Sequence, residues 1–142
     1  MKLPDANVLI YAVNTSAEHH DQAREWLDGT LNGRDSVGFS WISLLAFIRL
    51  STKVGMFPSP LAVPDALERV RAWLAQPVSV VLEPTALHLD VLARLLDAVG
   101  AGGNLTSDAH LAALAIEHRG EVVSYDSDFG RFPGVTWSLP TV

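Results

Sequence analysis

The chain has 142 residues, 49% hydrophobic and 18% charged, a composition of a folded globular protein with length for one domain over residues 1–142. It has no cysteine, which excludes a disulfide framework and any thiolate metal site. A net charge of −6 argues against a nonspecific nucleic-acid coater, which needs a basic surface, but it leaves room for acids gathered in one place. No apolar run approaches the ~20 residues of a membrane span, and Asp5 interrupts the N-terminal stretch before any signal-like core forms, so a cytoplasmic location is expected.

In chain order, Lys2–Asp5 reads as a short strand leading into a helix at about Asn7–Val13. Glu18–Leu31 is amphipathic, with Ala23, Trp26, Leu27 and Leu31 on one face. Ser36–Ser40 reads as a strand, followed by the mostly apolar helix Ile42–Val54. Gly55–Pro64 holds three prolines and reads as a loop, with Pro64 suited to the first turn of a helix that carries Ala66–Leu74. Val78–Leu82 is a continuous β-rich run, as in a strand buried on both faces. A helix near Ala86–Val99, the Gly-rich loop Gly100–Asn104, a helix near Ser107–Arg119, a strand Glu121–Tyr125 and a short final strand Val135–Leu139 complete the chain. Strands separated by helices of ten or more residues predict an α/β sandwich of three layers, with a central, mainly parallel sheet.

In such sheets ligands bind beyond the carboxyl ends of the strands. Asp5 falls at the end of the first strand, Asp126 and Asp128 just past Glu121–Tyr125, and Asp108 in the first turn after the Gly-rich loop. All four can therefore face one rim. Carboxylates gathered this way raise each other's pKa, and a divalent cation relieves that cost. Mg²⁺ prefers such oxygen donors, and the pair suits hydrolysis of a phosphodiester. Taken singly, the same residues have plainer readings: Asp5 and Asp108 as helix caps, Asp126 and Asp128 as turn formers.

The remaining candidates are open at this level. Asn7 either orients Asp5 or caps the first helix, and Thr106 and Ser107 offer hydroxyls either to the site or to the helix start. Arg49, on an apolar helix, contacts a phosphate, pairs with a site carboxylate or snorkels outward. The five histidines show no zinc-like spacing, and Trp26, Trp41 and Trp73 read as core. An aspartyl-nucleophile phosphatase is disfavoured, because Asn7 stands where its second acid belongs and the only lysines are Lys2 and Lys53.

Three segments resemble one family. Asp5-Ala-Asn-Val-Leu-Ile-Tyr-Ala is similar to the opening motif of PIN domains, Thr106-Ser-Asp-Ala-His-Leu-Ala-Ala-Leu-Ala to their third motif, and Val123-Ser-Tyr-Asp-Ser-Asp-Phe-Gly to their fourth. Order, spacing and length fit across the chain, and a lone domain of this size resembles the VapC toxins of type II toxin–antitoxin systems. The resemblance implies a three-layer α/β/α fold, cleavage of RNA with Mg²⁺ or Mn²⁺, a homodimer, and a cognate antitoxin that occupies the site. It also implies that Asp5 and Asp108 hold the metal, with Asp126 in support and Asp128 as a fourth acid. One position departs: the family's second motif carries a glutamate where this chain has Ala46, ahead of Phe47 and Arg49. Asp128 or Glu117 then stands in for the missing acid, or the chain is a PIN-fold module that binds RNA or a partner without cutting.

Overall fold

The computed structural model describes residues 1–55 and 57–141. Five short strands, β1 (Lys2–Pro4), β2 (Val37–Phe39), β3 (Ser79–Val81), β4 (Glu121–Val123) and β5 (Trp137–Ser138), form one sheet in the order β3-β2-β1-β4-β5. Every pairing is parallel. Among the described residues, six helices connect them: α1 (Ala6–Val13), α2 (His20–Leu31), α3 (Trp41–Thr52), α4 (Val63–Leu74), α5 (His88–Val99) and α6 (Leu105–Glu117), with a 3₁₀ turn over Ser127–Arg131 between β4 and β5.

The two faces of the sheet build separate cores. Val37, Phe39 and Val123 point into a cluster with Val8 and Leu9 of α1, Leu27 of α2, Leu44 and Phe47 of α3 and Trp73 of α4. Leu3 and Val122 point the other way, against Leu95 of α5, Leu111 and Leu114 of α6, and Phe129. Adjacent residues of β4 thus serve opposite cores, as the two-residue side-chain period of a strand requires.

This layering follows from handedness. Crossovers between parallel strands are right-handed, so stepping from β1 to β2 to β3 lays α1–α4 on one face. The jump from β3 back to β4 reverses direction and lays α5 and α6 on the other. The order therefore reverses between β1 and β4, and a crevice opens there at the carboxyl ends. Asp5 and Ser124 are the residues immediately beyond those two strands.

Helix limits match the sequence-based expectations to within a few residues, but two expectations about burial need separate treatment. The run Val78–Leu82 was expected to be buried on both faces; β3 instead lies at the sheet edge, where Val80 and Val81 are exposed. A β-branched run reports strand propensity and says nothing about position within the sheet. Trp26 and Trp73 are core residues as expected, whereas Trp41 is 45% exposed at the first position of α3. Pro64 does occupy the first turn of α4.

β1 is pinned tightly, which matters because it delivers Asp5. Leu3 is fully buried, and a Cβ on Gly120 would approach its Cδ1 to 2.3 Å and the Met1 carbonyl to 3.3 Å. The turn from α6 into β4 therefore admits no side chain without displacing the buried Leu3 side chain. Gly120→Ala is expected to destabilise the fold by about 1–3 kcal/mol. Urea denaturation checks this: the midpoint falls at unchanged slope, whereas an unmoved midpoint contradicts the tight fit.

Candidate active site

Each acid reaches the crevice by a different local device. Asp5 is the N-cap of α1, with extended backbone and its Oδ1 accepting from the Ala6 amide at 2.7 Å. Its Oδ2 accepts from the Ser124 hydroxyl at 2.8 Å and from the Asn7 side-chain amide at 3.4 Å. A carboxylate has about four acceptor positions, so three of Asp5's are committed. Asp126 caps the 3₁₀ turn, accepting from the Asp128 amide at 2.9 Å. Asp108 stands in the first turn of α6, where the helix dipole favours negative charge.

The plain reading as a cap holds for Asp5, but not for Asp108, since the N-cap of α6 is Asn104. Asp5 and Asp126 are caps, and they also face the same crevice. Carboxylate oxygens of Asp108, Asp126 and Asp128 lie within 4.8 Å of one another, all on half-buried residues. Asp5 stands beside this trio rather than within it. Its coupling to the trio is electrostatic: burial first, then the charge of Asp126, pushes its carboxyl above the ordinary range, against the lowering effect of its Ser124 and Ala6 hydrogen bonds. Asp108 is pushed up to about 6 by desolvation, with Asp5, Asp126 and Asp128 all adding repulsion.

Asp5 and Asp108 line a cleft of about 600 Å³ whose other wall is α3, contributing Ile42, Ser43, Leu45, Ala46, Ile48 and Arg49. Ala46 therefore faces the acids, at the position where an additional carboxylate would join them. Arg49 lies on this wall with its side chain exposed. α3 is set in place by Ser40, a buried N-cap that accepts from the Ser43 amide at 3.3 Å and donates to its hydroxyl at 3.0 Å.

The other candidates separate clearly. Asn7 reaches across to β4: its Nδ2 donates to Ser124 Oγ at 3.0 Å, and its Oδ1 accepts from the Tyr125 amide at 3.2 Å. Its polar atoms are all engaged in holding Asp5 and the loop after β4. Thr106 is exposed and outside the cleft lining, while its neighbour Ser107 lines it. Glu117 does not replace the acid missing at Ala46. It lies nine residues beyond Asp108 on α6, about 13 Å along the axis. There it accepts from the Thr85 amide and hydroxyl and pairs with His88, whose Nε2 lies 2.9 Å from His110 Nδ1. Asp128 is the acid that joins the trio, and Arg131 approaches it at 3.8 Å. Ser124 was missed by the sequence reading. It is wholly buried, with its Oγ donating to Asp5 while accepting from Asn7 and the Asp126 amide. A polar residue between a β-branched run and Tyr-Asp was the available signal.

Comparison with known proteins agrees with this fold. The profile of the PIN domain matches residues 2–135. Ribonuclease VapC37 of Mycobacterium tuberculosis is 61% identical over 140 residues, covering 99% of this chain and 97% of that one. Ribonuclease VapC33 of the same species is 39% identical, covering 99% and 98%. Among solved structures, VapBC2 from Rickettsia felis bound to a promoter DNA fragment superposes with a TM-score of 0.70 at 18% identity, covering 97% of each chain.

The raised Asp108 pKa sets a sign for stability. The folded chain holds this proton where the unfolded chain has lost it, so stability falls as pH rises from 3.8 to about 6. Asp108→Asn removes the penalty. Its melting temperature is expected to exceed that of the wild type by roughly 2–6 °C at pH 7.5 without divalent ions, and to match it below pH 4. Thermal denaturation at both pH values checks this; a variant less stable than wild type at pH 7.5 contradicts it.

Proposed function

The chain belongs to the PIN-domain family, among the VapC ribonucleases, and we propose that it is a divalent-metal-dependent endoribonuclease acting as the toxin of a type II toxin–antitoxin pair. The observation that carries this reading is the convergence of Asp108, Asp126 and Asp128 beside Asp5, at the one crevice the strand order creates.

The donor set fits a hard cation. It consists of carboxylate oxygens alone, without histidine or cysteine, which suits Mg²⁺ or Mn²⁺ over zinc. Its raised Asp108 pKa marks a place where positive charge is wanted. Asp108, Asp126 and Asp128 would hold the ion, with Asp5 supplying a further oxygen or orienting a water. When bound, the ion supplies charge neutralisation at the phosphodiester and a lowered pKa for water.

The residues of the chain do the rest. Ser124 and Asn7 fix Asp5 so that it does not turn away as charge accumulates. Asn7, read from the sequence as orienting Asp5 or capping α1, would act as a positioning residue. Arg49, on the opposite wall, would contact a backbone phosphate, and Thr106, exposed at the start of α6 outside the cleft lining, would meet the strand as it leaves. In-line attack by water then leaves 5′-phosphate and 3′-hydroxyl ends. A non-cleaving module is the weaker reading, since three carboxylates converge without any acid at Ala46.

The antitoxin is part of the same proposal. α3 carries Trp41 and Leu45 exposed beside the cleft wall, so a partner lying along that apolar strip also covers the acids and shuts RNA out. A homodimer and a cytoplasmic location complete the reading. No helix among the described residues is long and apolar enough to cross a membrane.

Cleavage of structured RNA by the purified chain, with Mg²⁺ and with chelator, tests the proposal. Wild type is expected to cut only with the ion, and Asp5→Asn to be slower by about 100-fold. Equal rates in the two proteins, or no cleavage by wild type with Mg²⁺ present, contradict it.

A further inference from the structure

On the other side of the crevice the loop after β4 presents a surface that metal chemistry does not use. Tyr125 lies between Ser124 and Asp126, and the backbone at Asp126 is extended (φ −89°, ψ 112°). Neighbours in extended chain point to opposite sides. Asp126 therefore turns to the acids, while the Tyr125 ring turns over α1 and the start of α2.

There it meets two other rings. His19 stacks on Tyr125 with centroids 4.6 Å apart and planes 16° apart. Tyr11 packs against Tyr125 at 5.2 Å and 55°, and against His19 at 6.0 Å and 43°. The arrangement is held at several points. The Tyr125 hydroxyl donates to Gln22 Oε1 at 2.8 Å, its amide is bound by Asn7, and His20 Nδ1 lies 2.8 Å from the Tyr11 carbonyl oxygen. His19 itself is exposed. One of its faces rests on Tyr125, so its exposed surface lies away from that ring.

We propose that the exposed surface of His19, backed by Tyr125 and Tyr11, is a stacking shelf for one unpaired nucleobase of the RNA, next to the phosphodiester held at the acids. This rests on the ribonuclease reading above and adds to it a requirement on the substrate. A chain of net charge −6 draws little general affinity from phosphates, so it needs contacts that charge does not oppose. Stacking is such a contact, because every base has a π-face, and single-stranded RNA is read largely by splayed bases on aromatic rings. The exposed acids Glu18 and Asp21 flank His19 and repel backbone phosphates, while leaving an uncharged base free to approach. Tyr125, which backs the shelf, adjoins Asp126 in the chain, so a base held there would bear on which neighbouring bond enters the site. The substrate is thereby a loop or single strand at the cut, with the shelf excluding a continuous duplex there.

The test uses RNA hairpins carrying 2-aminopurine at successive loop positions around the mapped cut, bound to the full chain bearing Asp108→Asn to prevent cleavage. Fluorescence quenching is expected at one position. Adding His19→Ala is expected to abolish that quenching and raise Kd about tenfold, while His19→Phe, which keeps a stacking plane, restores both. In the cleavage-competent chain the His19→Ala loss is carried by KM, with an unchanged circular-dichroism melt confirming the fold. Quenching and Kd that are indifferent to His19→Ala, in a chain that cuts RNA normally, overturn the shelf alone. A wild-type chain that cuts no RNA overturns the ribonuclease reading, and the shelf with it.

Discussion

Mutual repulsion among carboxylates brought to one rim is the constraint around which this protein is arranged. Asp108, Asp126 and Asp128 sit close enough to share one cation, and Asp5 adds a fourth negative group beside them. Left to themselves these side chains would swing into water. Asp5 is prevented from doing so by three hydrogen bonds, and Asp126 by the turn amide it caps. Those anchors hold because β1 and β4 are adjacent, register-locked strands buried between two cores. The cost of crowding the acids is thus borne by the most rigid part of the fold, which is where a preorganised site belongs.

Ser124 joins the two halves of that arrangement. It is buried beyond β4, yet all the bonding of its hydroxyl is directed to groups at the crevice: it gives a hydrogen bond to Asp5 and receives from Asn7 and the Asp126 amide. One hydroxyl therefore couples the first motif of the chain to its last. The helices that flank the sheet contribute differently. α6 supplies Asp108 near its amino end, and α3 supplies a wall that is apolar apart from Ser43 and Arg49. An acidic floor would meet an RNA backbone only through a bound cation, whereas the apolar wall is open to a partner segment lying over the entrance to the proposed site.

Much of this was legible in the sequence, for identifiable reasons. Helices such as Glu18–Leu31 announced themselves by apolar period, and the alternation of strands with long crossovers predicted a parallel sheet. Once the sheet was in hand, the carboxyl-end rule gave Asp5 and Asp126 a common location despite their separation along the chain. What stayed hidden depended on tertiary position. Whether Val78–Leu82 lay at the centre or the edge of the sheet, whether Trp41 faced in or out, and where Glu117 pointed are decided by strand order and helix phase, which residue type does not encode. Glu117 is the clearest case: nine residues from Asp108, it serves a Thr85–His88 tether and cannot reach the site. Ser124 was overlooked because a lone serine after a strand resembles any turn residue until its partners are visible.

The central claim is that the aspartate trio is a cation site whose protonation and loading compete. Titration calorimetry of Mn²⁺ into the purified chain, at pH 7.5 and 5.5 in two buffers of different ionisation enthalpy, tests it most directly. The account predicts a single site, affinity that drops about tenfold per pH unit below about 6, and proton release near pH 6 that disappears in Asp108→Asn. Binding that is absent, or that is equally tight at both pH values and indifferent to Asp108→Asn, would contradict it.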